Sequence, residues 1–189
     1  MSLDEYRRKR SFDSTPEPEG RVREGPGASF VIQKHHATRL HYDLRLEMDG
    51  VLRSWAVPKG PSLDPDDKRL AIRTEDHPID YGDFEGVIPK GNYGAGRVII
   101  WDRGSYRMID PPTAAEGWKK RKFHFVLEGS KLGGEWVLVE TRRGENQWLF
   151  FKVDDARGST EDITATRPES AVSGLLVEDM DEARTGIRR

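Results

Sequence analysis

The amino-acid sequence predicts a mostly β fold, either a β-barrel or a β-sandwich. Many short apolar segments are separated by tight turn signals, which is typical of antiparallel all-β domains. Apolar residues concentrate between Phe30 and Val153 and are sparse at both ends of the 189-residue chain. A segment of about 120 residues is long enough to bury a core of its own. We therefore expect one domain with a tail at each end.

The chain divides into three segments by composition. Residues 1–29 are rich in proline, glycine, serine and charge and have no apolar period, so we expect a flexible N-terminal arm. Residues 30–155 carry the β pattern and form the expected domain. Residues 156–189 are polar apart from one apolar patch and are expected to be a disordered tail or linker. The overall net charge is −2, but the nine acidic residues and five arginines after residue 153 leave +2 on the body.

The clearest strand pattern lies in RLHYDLRLEM, residues 39–48. Apolar side chains at the even positions alternate with polar side chains at the odd positions. One face of the strand is therefore apolar and the other carries charged and imidazole groups. Asp49-Gly50 follows as a hairpin turn, and VLRSWAV, residues 51–57, returns as the second strand.

The remaining elements follow from the same reasoning. Segments rich in β-branched and aromatic residues predict strands at residues 30–33, 69–74, 96–102, 104–109, 122–129, 135–143 and 147–153. Arg103-Gly104 and residues 143–146 read as the turns between them. Residues 113–121 predict a short helix, and we expect one or two short helices in all.

Three absences narrow the class of protein. The sequence contains no cysteine, which excludes disulfides and thiolate metal sites. It contains no apolar run close to the ~20 residues that a membrane-spanning helix needs. Its N-terminus lacks the apolar core of a signal peptide. A cytoplasmic, monomeric protein with no membrane partner is the expectation.

Three of the five histidines lie within residues 35–41. His41 and Asp43 are two residues apart on one strand face, a separation of ~6–7 Å that lets both side chains reach one cation. His35 follows the preceding strand and is close enough in sequence to fold back as a third ligand. Two imidazoles and one carboxylate suit Mn, Fe or Zn. A His-x-Asp pair on a strand is also often a simple surface hydrogen bond, so the pattern alone leaves both interpretations open.

Other polar residues favour a binding site for an anion. Arg45 continues the same strand face, and a guanidinium beside a metal indicates an anionic oxygen ligand, phosphate above all. The segment RTEDHPIDYGDFEGVIPKGNYGAG, residues 73–96, places His77 and Tyr81 in a glycine-rich region that no core requires. His124 lies in the predicted strand 122–129 and is expected to be a surface residue.

Two sequence patterns together carry a specific resemblance. KHHATRLHYDLRLEMDG, residues 34–50, and EDHPIDYGDFEGVIPKGNYGAG, residues 75–96, closely resemble the 3′-phosphoesterase module of bacterial ligase D, the non-homologous end-joining ligase. The resemblance covers roughly residues 4–153, and YRRKRSFDSTPEP, residues 6–18, resembles the N-terminal arm of that family.

This resemblance implies a fold and an activity. The implied fold is a small closed β-barrel with a hydrophobic interior and a polar active site on its outer surface. The implied enzyme is a Mn²⁺-dependent hydrolase, with Zn²⁺ or another divalent transition metal as the alternative. Such enzymes remove a 3′-terminal ribonucleoside and then a 3′-phosphate, leaving the 3′-OH that a ligase or polymerase needs. The implied partners are DNA or RNA/DNA 3′ ends at primer-template junctions, an end-joining ligase and a Ku-type end-binding protein.

The resemblance also implies roles for individual residues. The positions that match metal ligands are His35, His41 and Asp43. The positions that match catalytic residues at the scissile phosphate are Arg45, His77 and Tyr81. The secondary positions for phosphate or substrate binding are Lys59, Arg69, Arg10 and Glu17. His77 fits either a metal role or a phosphate role.

The chain departs from the family pattern at two positions. Many members have aspartate where this chain has His36, and many have aspartate where it has Ser11. The change at Ser11, next to Arg10, bears on how the arm contributes and on ribonucleoside removal in particular. The sequence has no K-x-D-G adenylation motif and so no ligase nucleophile. A stand-alone phosphoesterase or an excised module is expected.

Two other functions fit parts of the pattern. His41, Asp43 and a distant His77 match the facial triad of non-haem iron oxygenases, although Arg45 fits phosphate better. A non-catalytic DNA-end-binding barrel would use some of the five tryptophans and five tyrosines as stacking surfaces, although most of these are expected in the core. Manganese-dependent phosphate release separates the phosphoesterase from both.

Overall fold

Strands dominate the computed structural model of the protein, which describes residues 3–25 and 27–189. Met1, Ser2 and Pro26 of the predicted N-terminal arm lie outside the described residues. The strands are β1 (Ser29–His36), β2 (Leu40–Met48), β3 (Val51–Val57), β4 (Arg69–His77), β5 (Phe84–Ile88), β6 (Gly96–Asp110), β7 (Lys122–Gly129), β8 (Gly133–Glu140), β9 (Gln147–Lys152) and β10 (Gly186–Ile187). The α-helices are α1 (Asp4–Arg8), α2 (Ala114–Lys120) and α3 (Ile163–Thr166). A 3₁₀ turn covers Ile79–Asp83.

Eight strands close into an antiparallel barrel, which confirms the barrel rather than the sandwich. Their order is β1-β2-β3-β4-β9-β8-β7-β6, and β6 pairs back onto β1 to complete the ring. β5 pairs with β6 outside this ring, and β10 pairs with β5. Closure leaves no free edge in the ring, so its backbone groups are paired all the way round.

The long strand β6 makes this closure and corrects one prediction. Residues 96–102 and 104–109 belong to one strand, so the turn expected at Arg103-Gly104 is wrong. Gly104 pairs with Phe30 of β1 on one side and with Gly129 of β7 on the other. A Cβ at Gly104 would lie 2.0 Å from the carbonyl oxygen of Glu128. Gly104 is thus required because two backbones approach closely there. In a sequence, a glycine of this kind looks the same as a glycine in a turn.

The period-two pattern of β2 predicts its two faces correctly. Tyr42, Leu44, Leu46 and Met48 are buried in the core cluster inside the barrel. The hairpin turn after β2 has positive φ angles at both central residues, Asp49 and Gly50, as a tight type I′ turn requires. The polar side chains of β2 therefore face the outside of the barrel.

A helix packs against the barrel core beside two tryptophans. Trp118 of α2 stacks on Trp55 of β3 with ring centroids 5.7 Å apart and also contacts Trp148 edge-on. Thr113 caps the helix by accepting a hydrogen bond from the backbone N–H of Glu116. None of the helices in residues 3–25 and 27–189 is long and apolar enough to cross a membrane.

The segment after residue 155 is ordered on the barrel, so the structure corrects the expected disordered tail. Val177 and Met180 are fully buried and pack on Ile99 of β6. The indole N–H of Trp101 donates to the carbonyl oxygen of Arg167 at 2.8 Å, and β10 adds a strand to β5. A few apolar residues anchor this segment, too few to give a period that sequence reasoning detects.

The N-terminal arm lies against the outside of the barrel. Tyr6 of α1 is completely buried and belongs to a second apolar cluster that includes Tyr81, Phe84 and Ile88. This cluster also includes Val31 and Leu52, which point outward from β1 and β3. The arm therefore shields part of the outer face of β1, β2 and β3, where the polar residues predicted for the site lie.

Candidate metal and phosphate site

Three potential metal ligands meet on the outer face of β1 and β2. His35 and His41 are direct cross-strand partners, and Asp43 follows two residues later on the same face. One ligand atom from each of the three lies within 4.8 Å of the others. Nε2 of His41 lies 3.4 Å and Nδ1 of His35 lies 3.7 Å from Oδ2 of Asp43. Antiparallel pairing thus supplies the fold-back of His35 that the sequence predicts.

The hydrogen bonds around both imidazoles fit metal binding. Nε2 of His35 donates to the carbonyl oxygen of Gly94 at 2.7 Å, and Nδ1 of His41 donates to the carbonyl oxygen of Arg39 at 3.0 Å. In this tautomer each imidazole has its other nitrogen free as a lone-pair donor facing Asp43. Carbonyl acceptors of this kind fix the ring orientation of metal-binding histidines in proteins. The donor set and its surroundings therefore fit a divalent transition metal.

The electrostatics of these groups are strongly coupled. Burial alone would raise the pKa of Asp43, but the charge of Arg45 and, in their protonated form, the neighbouring imidazoles of His35 and His41 hold that pKa well below its ordinary value. Burial alone would lower the pKa of His41, but the hydrogen bond and charge of Asp43 outweigh it and raise that pKa above 6.5. Asp43 is consequently an anion across the physiological range, ready to bind a cation.

Arg45 is held rigidly beside the three potential ligands. Its Nη2 lies 3.4 Å from Oδ2 of Asp43, its Nε donates to Gln33 at 2.7 Å, and its Nη1 donates to Ser54 at 2.9 Å. The same Nη1 lies 3.1 Å from Nδ1 of His77. The Arg45 side chain is only 3% exposed. The polar face of β2 is thus outside the barrel but buried at Arg45, because the arm and the 3₁₀ turn cover it.

Gln33 positions Arg45 and was not identified from the sequence. Its side-chain amide donates to the carbonyl oxygens of Tyr81 and Phe84 at 2.8 and 3.0 Å, so its oxygen is turned toward Arg45. Gln33 lies on β1 directly opposite Asp43. Gln33 could have been identified from the sequence, because it lies two residues before His35 and therefore on the same face of the strand.

His77 is buried between two guanidinium groups. Its Nδ1 faces Arg45, and its Nε2 lies 3.4 Å from Nη2 of Arg10 on the arm. Burial lowers the pKa of His77, and the charges of Arg45 and Arg10 lower it further, so the pKa is well below 6.5. The imidazole is therefore neutral in the structure as it stands.

The arm brings Arg10 and Glu17 to the same site. Nε of Arg10 donates to Oε1 of Glu17 at 2.9 Å, and the hydroxyl of Tyr81 donates to the same oxygen at 2.8 Å. Burial raises the pKa of Tyr81 and the charge of Glu17 raises it further, so the phenol stays protonated. The structure thus brings together residues from three separate parts of the sequence, namely Arg10, Glu17, Arg45, His77 and Tyr81.

Glu75 and Lys9 extend this network and were not predicted. Oε1 of Glu75 accepts from Nη1 of Arg10 at 3.3 Å, and Oε2 pairs with Nζ of Lys9 at 3.1 Å. Burial would raise the pKa of Glu75, but its own backbone N–H, Lys9 and Arg10 lower it. Glu75 lies two residues before His77 on β4. It is part of the sequence motif that contains His77, but the motif does not indicate what Glu75 does.

Most of the predicted residues line one pocket of about 280 Å³. Its walls include Arg10, His35, His41, Asp43, Arg45, His77 and Tyr81, together with Tyr93 and Gly94 of the glycine-rich loop. Glu17 touches the pocket through Arg10 and Tyr81. Lys59 and Arg69 do not line it and lie instead in a neighbouring depression. His124 lies outside the site and pairs with Glu135 at 2.8 Å on the surface.

Comparison with known families agrees with this geometry. The sequence profile of the family described as "DNA Ligase D 3'-phosphoesterase domain" matches residues 33–140. The matched region contains the three potential metal ligands together with Arg45, His77 and Tyr81. Arg10 and Glu17 precede it.

Curated relatives extend the match over nearly the whole chain. The chain is 51% identical to the multifunctional non-homologous end joining protein LigD of Pseudomonas aeruginosa over 99% of its own length and 23% of that protein. It is 42% identical to the protein of the same name from Mycolicibacterium smegmatis over 93% of its own length and 23% of the relative. The chain spans less than a quarter of these relatives. It belongs to the DNA ligase D 3′-phosphoesterase domain family, which occurs in non-homologous end-joining repair proteins.

Proposed function

We propose that the protein is a metal-dependent phosphoesterase that heals DNA 3′ ends by removing a 3′-phosphate and a 3′-terminal ribonucleoside. The main observation that supports this proposal is that a potential metal site and a guanidinium group lie side by side in one pocket. A His-His-Asp cluster offers ligand atoms within 4.8 Å of one another, and the Arg45 guanidinium lies 3.4 Å from its carboxylate. A phosphate oxygen is the chemical group that both a divalent cation and a fixed guanidinium attract.

His35, His41 and Asp43 would hold the metal, with Mn²⁺ as our first choice and Zn²⁺ as the alternative. When bound, a divalent metal supplies Lewis-acid polarisation of a phosphate oxygen and lowers the pKa of a bound water. The protein residues contribute orientation, because the carbonyls of Gly94 and Arg39 hold both imidazoles in the required tautomer. Two histidines and one carboxylate leave coordination positions for water and substrate.

Arg45 is proposed to bind the scissile phosphate. Gln33, Ser54 and Asp43 fix its guanidinium before any substrate arrives. A donor that is already in place stabilises charge developing on the phosphate oxygens without reorganisation during the reaction. The neighbouring Tyr81 ring, 4.9 Å from the guanidinium carbon, limits its movement further.

His77 is proposed to act as a hydrogen-bond donor that becomes a proton donor once phosphate is bound. Without bound phosphate, burial and the two flanking guanidiniums hold its pKa well below 6.5, so the imidazole is neutral at neutral pH and has no second proton to give. A phosphate anion between Arg45 and Arg10 would offset their charges and raise that pKa. Substrate binding would then equip His77 to protonate the leaving oxygen.

The N-terminal arm is proposed to complete the substrate site. Arg10 lies close enough to His77 to contact the same phosphate, and Glu17 orients both Arg10 and Tyr81. Ser11, exposed on the arm, replaces an aspartate that many relatives carry, so we expect ribonucleoside removal to be weaker than phosphate removal. Lys59 and Arg69 lie outside the pocket and are proposed to contact DNA beyond the scissile phosphate.

The proposed substrates are DNA or RNA/DNA 3′ ends at primer-template junctions. The names of the curated relatives place them in non-homologous end joining, which supports an end-joining ligase and a Ku-type end-binding protein as partners. The pocket supports an iron oxygenase less well, because the guanidiniums of Arg10 and Arg45 both line it and make it suited to an anion.

A primer-template assay tests the proposal. A labelled primer that ends in a 3′-phosphate or a 3′-ribonucleotide is incubated with Mn²⁺ or with EDTA, and the products are separated on a gel. The proposal expects a 3′-OH primer with Mn²⁺ and no product with EDTA. DNA binding that survives EDTA without any product would favour the non-catalytic barrel.

A further inference from the structure

The catalytic pocket has a closed side and an open side. The closed side is formed by Arg10 of the arm and by Tyr93 and Gly94 of the loop before β6. The arm and this loop are joined, since the Ser14 hydroxyl donates to the side chain of Asn92 at 2.7 Å. The other side of the pocket ends at Ala56 of β3 and at Thr74 of β4, both of which are partly exposed.

The open side leads onto the outer face of three neighbouring strands. Asp43 pairs with Ala56 of β3, Ala56 pairs with Ile72 of β4, and Ile72 pairs with Gln147 of β9. Outward residues in this row are small, apolar or uncharged, and Leu70 is 42% exposed. Adjacent strands lie ~4.8 Å apart, so the three steps from Asp43 to Gln147 span ~14 Å.

Three shallow depressions follow this row away from the pocket. The first contains Pro58, two residues beyond Ala56 on the same face of the chain, and also Leu70. The second shares Leu70 with the first and reaches the β8–β9 turn. The third shares Arg142 and Arg143 with the second. The depressions therefore form one path, which begins two residues along the chain from the pocket residue Ala56 and ends at the β8–β9 turn.

Positive charge is concentrated along this path. We define the basic track as the cations that line the three depressions, namely Lys59, Lys68, Arg69, Arg121, Arg142 and Arg143. The acidic residues that line the same depressions are Asp67, Glu140 and Glu145. The track thus has a local net charge of +3 in a chain whose net charge is −2.

Among the described residues, four of these six cations, Lys59, Lys68, Arg142 and Arg143, form no salt bridge. Arg69 pairs with Asp67, and Arg121 pairs with Glu140. Arg142 and Arg143 are exposed, and within residues 3–25 and 27–189 no carboxylate lies in salt-bridge range of either. Exposed, unpaired cations on a turn are available to a partner that carries negative charge at regular spacing.

We infer that the basic track binds the sugar–phosphate backbone of the DNA duplex that lies behind the 3′ end held in the pocket. The inference rests on the proposed function and extends it. A strand whose 3′ end occupies the pocket continues only on its 5′ side, so the duplex leaves the pocket in one direction. The arm and the loop block one direction, and the track lies along another.

The dimensions match a few nucleotides of duplex. Phosphates of one B-DNA strand are spaced ~3.4 Å along the helix axis, so ~14 Å corresponds to about four nucleotides. Arg142 and Arg143 would then contact phosphates about four nucleotides or more from the scissile one. Contacts of this kind add affinity without reading sequence, so the track serves any DNA end.

DNA-binding measurements on two double variants test the inference. Hairpin DNAs with stems of about three and about fifteen base pairs and a 3′-OH end are titrated in EDTA, so that no hydrolysis occurs and affinity alone is measured. We expect R142A/R143A to lose most of the extra affinity for the long stem. The slope of log Kd against log salt should fall by about two, one for each phosphate contact removed.

The matched control removes two exposed cations that line none of the three depressions. R21A/R107A should leave both the stem-length dependence and the salt slope unchanged. Thermal melting confirms that both variants are folded. Binding of the long stem by R142A/R143A with wild-type affinity and slope would overturn the inference. If R142A/R143A bound DNA normally but no longer bound a protein that wild type binds, the β8–β9 turn would be a protein-binding site and the inference would also be overturned.

The same samples separate this inference from the proposed function. Phosphate release from a short 3′-phosphate hairpin with Mn²⁺ is measured in parallel, and R142A/R143A should match wild type there. Absence of release by wild type would count against the proposed function, whatever the stem-length result. Normal release with an unchanged long-stem affinity in R142A/R143A would count against the basic track alone.

Discussion

Nη2 of Arg10 lies 3.4 Å from Nε2 of His77, although 67 residues separate them in the chain. One residue lies on the N-terminal arm and the other at the end of β4. The candidate site is therefore shared between the barrel and a segment that contributes no strand to it. The arm sets the electrostatics of the pocket as well as covering it.

Replacing Arg10 should change the titration of His77. Burial, Arg45 and Arg10 all lower the pKa of His77, so Arg10→Ala removes one of three causes and should raise that pKa toward 6.5. NMR titration of the imidazole signals in metal-free protein measures it. Arg7→Ala is the control, because Arg7 is exposed on α1, three residues before Arg10, and contacts the backbone of Gly20. An unchanged His77 pKa in folded Arg10→Ala would contradict this role of the arm.

Replacing Arg45 by lysine should reduce the rate strongly. Lysine retains the charge but cannot reach Gln33, Ser54 and Asp43 with one planar group. We expect single-turnover phosphate release to fall on the order of 10²-fold, as for other lost preorganised donors. Because Arg45 is buried, we also expect a loss of stability of about 1–3 kcal/mol from partners left unsatisfied. Arg39→Lys, at an exposed position before β2, is the control and should behave as wild type. Normal turnover by Arg45→Lys would show that Arg45 does not bind the scissile phosphate.

Metal binding should weaken as the pH falls. Asp43 raises the pKa of His41 above 6.5, and only the neutral imidazole binds a metal. Protons therefore compete with the metal from above pH 6.5 downward, and Mn²⁺ binding in this range should release a proton. Calorimetry in buffers of different ionisation enthalpy measures that release. In Asp43→Asn the pKa of His41 should fall, and Asp49→Asn in the exposed β2–β3 turn should leave it unchanged.

The C-terminal segment should stabilise the barrel. Met180 is fully buried against Ile99, so Met180→Ala should lower the free energy of unfolding by about 2–5 kcal/mol. Leu176→Ala is the matched control, since Leu176 is 38% exposed and should lose far less. Denaturant unfolding of both variants measures the difference. If Met180→Ala were as stable as wild type, the result would support the disordered tail that composition predicts.

The potential metal ligands were predictable because they depend on local periodicity. Period two in residues 39–48 put His41 and Asp43 on one face, and a short connection to the preceding strand brought His35 opposite. The depth of burial was not predictable. Periodicity puts Arg45 on the polar outer face of β2, and the docked arm together with the 3₁₀ turn makes it only 3% exposed.

The parts that the sequence missed depend on packing between distant segments. The arm has no apolar period, yet Leu3 and Tyr6 are both buried, and Tyr6 packs edge-on against Tyr81. Val177 and Met180 likewise fix a segment whose average composition is polar and acidic. Average composition underestimates such segments, because a few buried side chains on an existing surface supply the stability that a free segment lacks.

The most direct test of the account is phosphate release from a 3′-phosphate primer-template, measured in single turnover as a function of Mn²⁺ concentration for wild type and Asp43→Asn. The account predicts saturable, EDTA-sensitive release by wild type. Asp43→Asn should need far more Mn²⁺ or release no phosphate, with a far-UV circular dichroism spectrum like that of wild type. Release that is independent of added metal and of EDTA, or release by Asp43→Asn with the wild-type Mn²⁺ dependence, would contradict the claim that His35, His41 and Asp43 hold the catalytic metal.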